Sequence, residues 1–189
     1  QDDIILTNDP LPTTANAGSA INQCNNGSFV LAGNTATVGT GLWSIVGAPN
    51  GAVITTPTSP TSGVTGLTAG FSVTLRWTIT SGTCTPSTSD VVLTNYATPT
   101  IANAGPATLT QCNTSTFTMA ATPAAIGTGT WTIMSGAAVI TNANSPTTTI
   151  TGVTTTATLR WTVGNGVCAT TQDDIILTND PLPTTANAG

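Results

Sequence analysis

The clearest pattern in the chain is the alternation of Phe71–Thr80, FSVTLRWTIT. Val73, Leu75, Trp77 and Ile79 fall on one face, and Thr74, Arg76, Thr78 and Thr80 on the other. Successive side chains of a strand point to opposite sides, so this segment predicts a half-buried strand with a polar outer surface. The pattern returns with Ala157, Leu159, Trp161 and Val163 set against Thr158, Arg160 and Thr162. Shorter runs come in matching pairs: Ser28–Ala32 with Thr116–Ala120, Gly41–Val46 with Gly129–Met134, and Asp90–Asn95 with Asp174–Asn179. Ala52–Thr55 and Ser62–Leu67 are further strand candidates, and weak first strands are expected at Ser19–Gln23 and Ala107–Gln111. Asn50-Gly51 and Asn165-Gly166 read as tight hairpin turns that need positive φ. Prolines fall between the runs, where no ladder donor is lost. No amphipathic helix is present. About seven short strands per unit of roughly 85 residues predict an all-β protein built of β-sandwiches.

The pairing of runs reflects two nested repeats. Gln1–Gly18 and Gln172–Gly189 both read QDDIILTNDPLPTTANAG, letter for letter. Packing does not demand identity at every loop position, so this is a copied unit, expected to come from a longer tandem array. Inside that period the motif ANAG at Ala15–Gly18 recurs at Ala102–Gly105, Trp43 maps to Trp131, Trp77 to Trp161, and Cys84 to Cys168. The expected organisation is residues 1–14 as the last strand and linker of a preceding repeat, a first domain over 15–95, a linker at 96–101, a second domain over 102–179, and a linker with the start of the next repeat at 180–189. Residues 1–8 match the last strand of the second domain and cannot fold alone.

Composition narrows the function classes. Charged residues are 5% of the chain, with two cations (Arg76 and Arg160), seven Asp, and no Lys, His or Glu. A nucleic-acid partner needs cations to neutralise phosphates and is excluded. An anionic membrane surface is disfavoured, and no run approaches the roughly 18 apolar residues of a membrane helix. A Ser or Thr nucleophile has no ordinary base beside it, so no enzyme is expected. Asp173-Asp174 and Asp2-Asp3 are adjacent in a strand pattern and point to opposite faces, which is wrong for paired carboxylate chemistry.

Each domain carries two cysteines, Cys24 with Cys84 and Cys112 with Cys168. Bridging within each domain is the economical reading; free buried thiols and a covalent link between chains are the alternatives. Closing a loop of about 60 residues would contribute about 4 kcal/mol by chain entropy, and it places the protein outside the reducing cytosol. Without CxxC or His, the zinc reading fails. Trp43, Trp77, Trp131 and Trp161 are expected in the cores, and Arg76 and Arg160 are expected to pair with Asp90 or Asp174 across neighbouring strands.

The segment GLTAGFSVTLRWTITSGTC followed by TSDVVLT resembles the closing strands of PKD-type and related Ig-like domains. The ANAG…QC…GTGLWSI…TSPTSGVTGL pattern before it is similar to the Ig-like repeats of very large secreted surface proteins of gliding, Bacteroidota-type bacteria. The resemblance implies tandem Ig-like (PKD-like) sandwiches at the cell surface, with no implied ligand. It departs from antibody-type domains in the placement of its cysteines.

Three functional expectations follow. The first is a structural repeat of a long extracellular adhesin stalk or filament, in which neighbouring identical repeats are the partners. One period of two domains would reach about 70–80 Å, from ten-residue strands at about 3.4 Å per residue. The second is a fibre of short subunits polymerising by strand exchange through Asp3, Ile4, Ile5 and Leu6. The third, weaker, is binding of surface glycans. No cofactor is expected, apart from a candidate Ca²⁺ at the junction on Asp174, Asn179 and Asp180, equivalent to Asp3, Asn8 and Asp9.

Overall fold

A computed structural model describes residues 2–5 and 7–186 and contains two compact units, divided between Ala97 and Thr98. The first has strands β1 (Ile21–Cys24), β2 (Phe29–Val30), β3 (Thr40–Val46), β4 (Val53–Ile54), β5 (Gly63–Thr65), β6 (Phe71–Thr80) and β7 (Ser87–Tyr96). They form one sheet in the order β1-β7-β6-β3 and a second in the order β2-β5-β4. The second unit repeats this with β8 (Thr108–Cys112), β9 (Phe117–Thr118), β10 (Thr128–Ser135), β11 (Val139–Ile140), β12 (Thr149–Thr151), β13 (Thr156–Gly164) and β14 (Thr171–Asp180). Its sheets run β10-β13-β14-β8 and β11-β12-β9. Each unit is a seven-strand, two-sheet sandwich of Ig-like topology. In both, the first strand lies parallel to the last, so Cys24 is level with Tyr96 and Cys112 with Asp180.

The core follows from alternation. Val73, Leu75, Trp77 and Ile79 of β6 are buried, as are Val91 and Leu93 of β7, and they pack against Phe29 and Val64 of the opposite sheet. Trp43 stands opposite Trp77 in the β3–β6 ladder, with ring centroids 5.0 Å apart and planes tilted by 38°. Trp131 and Trp161 reproduce the pair at 5.1 Å and 47°. Such tilted contacts add to the area that the indoles bury. β2 and β6, the strands that an antibody-type domain crosslinks, carry Phe29 and Trp77 and no cysteine, so the tryptophan pair fills the middle of the sandwich instead.

Two turn expectations are corrected. Asn50 and Gly51 do take positive φ (49° and 86°), and the Ala52 N–H donates to the Pro49 carbonyl at 2.8 Å. That tight turn carries the chain from β3 to β4, which belong to different sheets, so it is not a hairpin. In the β13–β14 hairpin the Cys168 N–H donates to the Asn165 carbonyl at 3.1 Å. Asn165 therefore begins the turn, with Gly166 and Val167 as its central residues. The last strands also start three residues earlier than expected, at Ser87 and Thr171.

The Trp77 ring lies against Gly41, where an added Cβ would meet it head-on, and Trp161 lies the same way against Gly129. Gly41→Ala should therefore destabilise the first sandwich by about 1–3 kcal/mol through overpacking. Urea unfolding followed by tryptophan fluorescence reads this, and an unchanged midpoint would show that the ring has room to move.

Candidate functional site at the ends of the sandwiches

The two ends of each sandwich are organised by the inward face of its last strand. On β7 that face carries Ser87, Ser89, Val91, Leu93 and Asn95, by alternation. The middle of the row is apolar core and its ends are polar. At the end where the chain enters the domain, the Ser87 and Ser89 hydroxyls accept the Ala15 and Ala17 N–H groups at 2.8 and 3.1 Å. On β14, Thr171 Oγ1 and Asp173 Oδ2 accept those of Ala102 and Ala104 at 2.9 and 2.7 Å. The ANAG motif is thereby explained. Its alanines are buried against the core, with side-chain oxygens taking the place of ladder partners for their amides. Asn16 Oδ1 accepts the Gly18 N–H at 2.9 Å, an Asx turn that holds Gly18 at φ +80°. Asn103 does the same for Gly105 at 2.8 Å.

At the opposite end, Asn95 is 2% exposed. Its Nδ2 donates to the Leu67 carbonyl at 2.7 Å and its Oδ1 accepts the Asn26 N–H at 2.9 Å. Asn179 makes the equivalent clamp on Val153 and Thr114, at 3.0 and 2.9 Å. Ser87, Ser89, Asn95 and Thr171 went unnoticed in the sequence because an apolar period does not register Ser, Thr or Asn. The signal was present: the two-residue period of Val91 and Leu93 extends to Ser87, Ser89 and Asn95.

The segment ahead of ANAG is bound as well. Thr13 donates its N–H to the Val38 carbonyl at 3.1 Å and accepts the Val38 and Thr37 N–H groups on Oγ1 at 2.9 and 3.0 Å. Thr100 and Ile126 repeat the exchange at 3.0 and 2.8 Å. Asp9 caps the β6–β7 loop: its Oδ2 accepts the Thr83 N–H at 2.8 Å and the Thr83 hydroxyl at 3.1 Å. The Cys84 thiol donates to the Asp9 carbonyl at 3.4 Å. Gly82 lies under the Asp9 carboxylate, where a Cβ would collide with it.

Three of the residues considered for calcium have other side-chain partners. Asp174 is held by Arg160, Asn179 by the clamp on Val153 and Thr114, and Asp9 by Thr83. Asp3 and Asn8 are exposed, and the Asp180 carbonyl accepts the Asn113 N–H at 2.8 Å. Among the described residues, no three Cys or Asp side chains converge as a metal-holding group. Of the strand-exchange residues, Ile4 and Ile5 are 83% and 90% exposed, whereas Ile175 of the identical segment is fully buried; Leu6 lies outside the described residues.

Arg76 and Asp90 stand opposite each other on β6 and β7 and form a bidentate pair at 2.7 and 2.8 Å. Arg160 and Asp174 repeat it at the same distances. The guanidinium hydrogen bonds hold both carboxyls below their ordinary range and raise both arginines. The pairs are exposed and their worth is small.

The cysteines correct the sequence expectation. Cys24 and Cys168 are disulfide-bonded, whereas Cys84 and Cys112 carry free thiols, so neither Cys24–Cys84 nor Cys112–Cys168 is formed. The reason is the parallel first strand. Cys24 lies level with Tyr96, at the far end of the ten-residue β7, while Cys84 lies in the loop before Ser87. Ten residues of strand span about 33 Å, and a disulfide requires Cα atoms within about 7 Å. Cys112, level with Asp180, and Cys168, in the loop before β14, are separated in the same way. Every sandwich thus presents one cysteine at each end.

All four tryptophans are buried in the cores. Trp77 and Trp161 each line an open cavity of about 320 Å³, yet both rings are 1% exposed.

No family model matches the chain, and no curated protein does. Solved structures do. The chain is similar to Drosophila OTK extracellular domains 3–5, at 14% identity and TM-score 0.58, covering 90% of this chain and 60% of that one. It is similar to Sidekick-1 immunoglobulin domains 1–5, at 10% identity and TM-score 0.61, covering 92% and 40%. It is also similar to an I-band fragment of titin, at 9% and 0.52, covering 90% and 66%. This chain therefore spans 60% or less of the first two. At such identities the likeness establishes fold alone: tandem Ig-like domains.

Asn95→Ala strands the Leu67 carbonyl and should cost about 1–3 kcal/mol, as read by denaturant unfolding; no loss would mean that the clamp is replaceable. A second prediction concerns pH. A carboxyl depressed in the folded state contributes stability above its unfolded pKa and loses it as pH falls through the folded value. The melting temperature should therefore fall on acidification below the ordinary carboxylate range. It should fall less in the Asp90→Asn/Asp174→Asn double variant, and equal slopes in the two proteins would dismiss the effect.

Proposed function

We propose that the chain is a structural repeat of a long extracellular stalk or surface filament, serving reach and mechanical strength. One observation carries the reading. A single copied segment supplies the last strand of a sandwich, as Gln172–Asp180 does in β14, and the docked lead-in of the next, as Asp9–Gly18 does at the first. A segment with both roles is what continuous tandem repetition requires. Three further features support the reading. The lead-ins are bound to their sandwiches from Asp9 and Thr100 onward, so little free chain is left to bend between domains. The disulfide-bonded cysteines fit an oxidising compartment. The resemblance to repeats of giant secreted surface proteins of gliding bacteria fits both.

A second reading is favoured by Ile4, exposed in a segment whose copy is a paired strand with the equivalent Ile175 buried. In it, short subunits polymerise by donating residues 2–8 to a neighbour's sandwich. The denatured, reduced mass of the native protein separates the two. Many hundreds of kilodaltons is expected for the stalk, and a chain near 18.8 kDa would sink it in favour of strand exchange.

A further inference from the structure

We propose that Cys112 of one copy and Cys84 of the following copy form a disulfide across the joint between them. The proposal rests on the tandem reading, because it needs a second copy. Both thiols are free, with Cys112 exposed and Cys84 half-buried. They lie at opposite ends of their sandwiches: Cys112 at the end where the last strand leaves, Cys84 at the end where a lead-in arrives.

The copied segment brings these ends together. In the second sandwich, Asp180 is the register partner of Cys112, and its carbonyl accepts the N–H of Asn113, the next residue. In the first, Asp9 binds Thr83 through its carboxylate and receives the Cys84 thiol on its carbonyl at 3.4 Å. Asp9 and Asp180 are the same residue of the identical segment. Where one copy runs into the next, a single aspartate fills both roles. That aspartate has Cys112 one strand spacing of about 4.8 Å away and receives the Cys84 thiol on its carbonyl at 3.4 Å. Both cysteines thus adjoin one residue, and a disulfide needs their Cα atoms within about 7 Å. Asp9 acts here as the positioning residue: its hydrogen bonds to Thr83 fix the loop that carries Cys84.

The oxidant is a small-molecule or protein disulfide. The thiolate of one cysteine attacks it and forms a mixed disulfide, releasing one thiol. The second cysteine then displaces the other half, and the S–S bond closes as the oxidant, now two thiols, takes up two electrons and two protons.

The test joins two copies in frame, so that residues 172–189 of the first serve as residues 1–18 of the second. Cys84→Ser in the first copy and Cys112→Ser in the second leave only the proposed pair unassigned. After refolding with reduced and oxidised glutathione and an alkylating quench, non-reducing tryptic mapping should join the two fragments that carry these cysteines, and their alkylation should fall at least tenfold. Full alkylation of both, or pairing with any other cysteine, overturns the proposal. Asp9→Ala at the joint should slow closure of the bond while leaving the other disulfide-bonded cysteines protected; an unchanged rate would overturn the positioning role. The tandem reading is judged separately by small-angle scattering of the same chain with both remaining thiols changed to serine. An extended monomer keeps that reading whatever the thiols do, and a strand-exchanged polymer removes it.

Discussion

Side-chain oxygens on the inward face of each last strand hold the chain at both ends of its sandwich. Two hydrophobic positions in the middle of that face belong to the core, as Val91 and Leu93 do in β7. The polar positions beyond them bind the incoming ANAG segment on one side and the loops around Leu67 and Asn26 on the other. Most buried backbone groups in a folded protein must find a partner, and here one strand supplies partners to segments separated from it by up to 72 residues. Removing that strand would open the core and release both ends together. The segment repeated at residues 1–9 is Gln172–Asp180, nine of the ten residues of the corresponding strand β14.

The cysteines depart from the antibody-type arrangement for the same reason. With the tryptophan pairs filling the centre of each sandwich, the cores need no sulfur crosslink. The cysteines are displaced to the ends, where the parallel pairing of first and last strands puts one of them beside the departing chain. Stabilisation within the domain is thereby aromatic and hydrophobic, and the sulfurs lie at its two ends.

Alternation made β6 legible in the sequence to the residue and β13 to within one residue at each end, because both carry an unbroken apolar row against a Thr/Arg row. The Arg76–Asp90 and Arg160–Asp174 pairs were legible too, since a chain with two cations leaves few choices. The short strands β2, β4 and β9 are two residues each and were overestimated, because β-favouring residues continue past the point where the ladder stops. Cysteine connectivity was not legible. It depends on β1 running parallel to β7, a non-local choice that leaves no periodic trace in the four residues of β1. The clamp role of Asn179 was not legible either, because oxygen-bearing residues near a turn look alike until their hydrogen bonds are known.

The scarcity of cations has a consequence for survival in a protease-rich environment. Trypsin-like enzymes cut after Lys or Arg and need roughly an extended stretch of free backbone to do so. This chain offers them two bonds, after Arg76 and Arg160. Both lie mid-strand in β6 and β13, each hydrogen-bonded to a neighbour on either side, with Arg76 between Ser44 and Asp90 and Arg160 between Thr132 and Asp174. Cleavage there requires the sheet to come apart first, so resistance to digestion is set by the unfolding equilibrium of each sandwich.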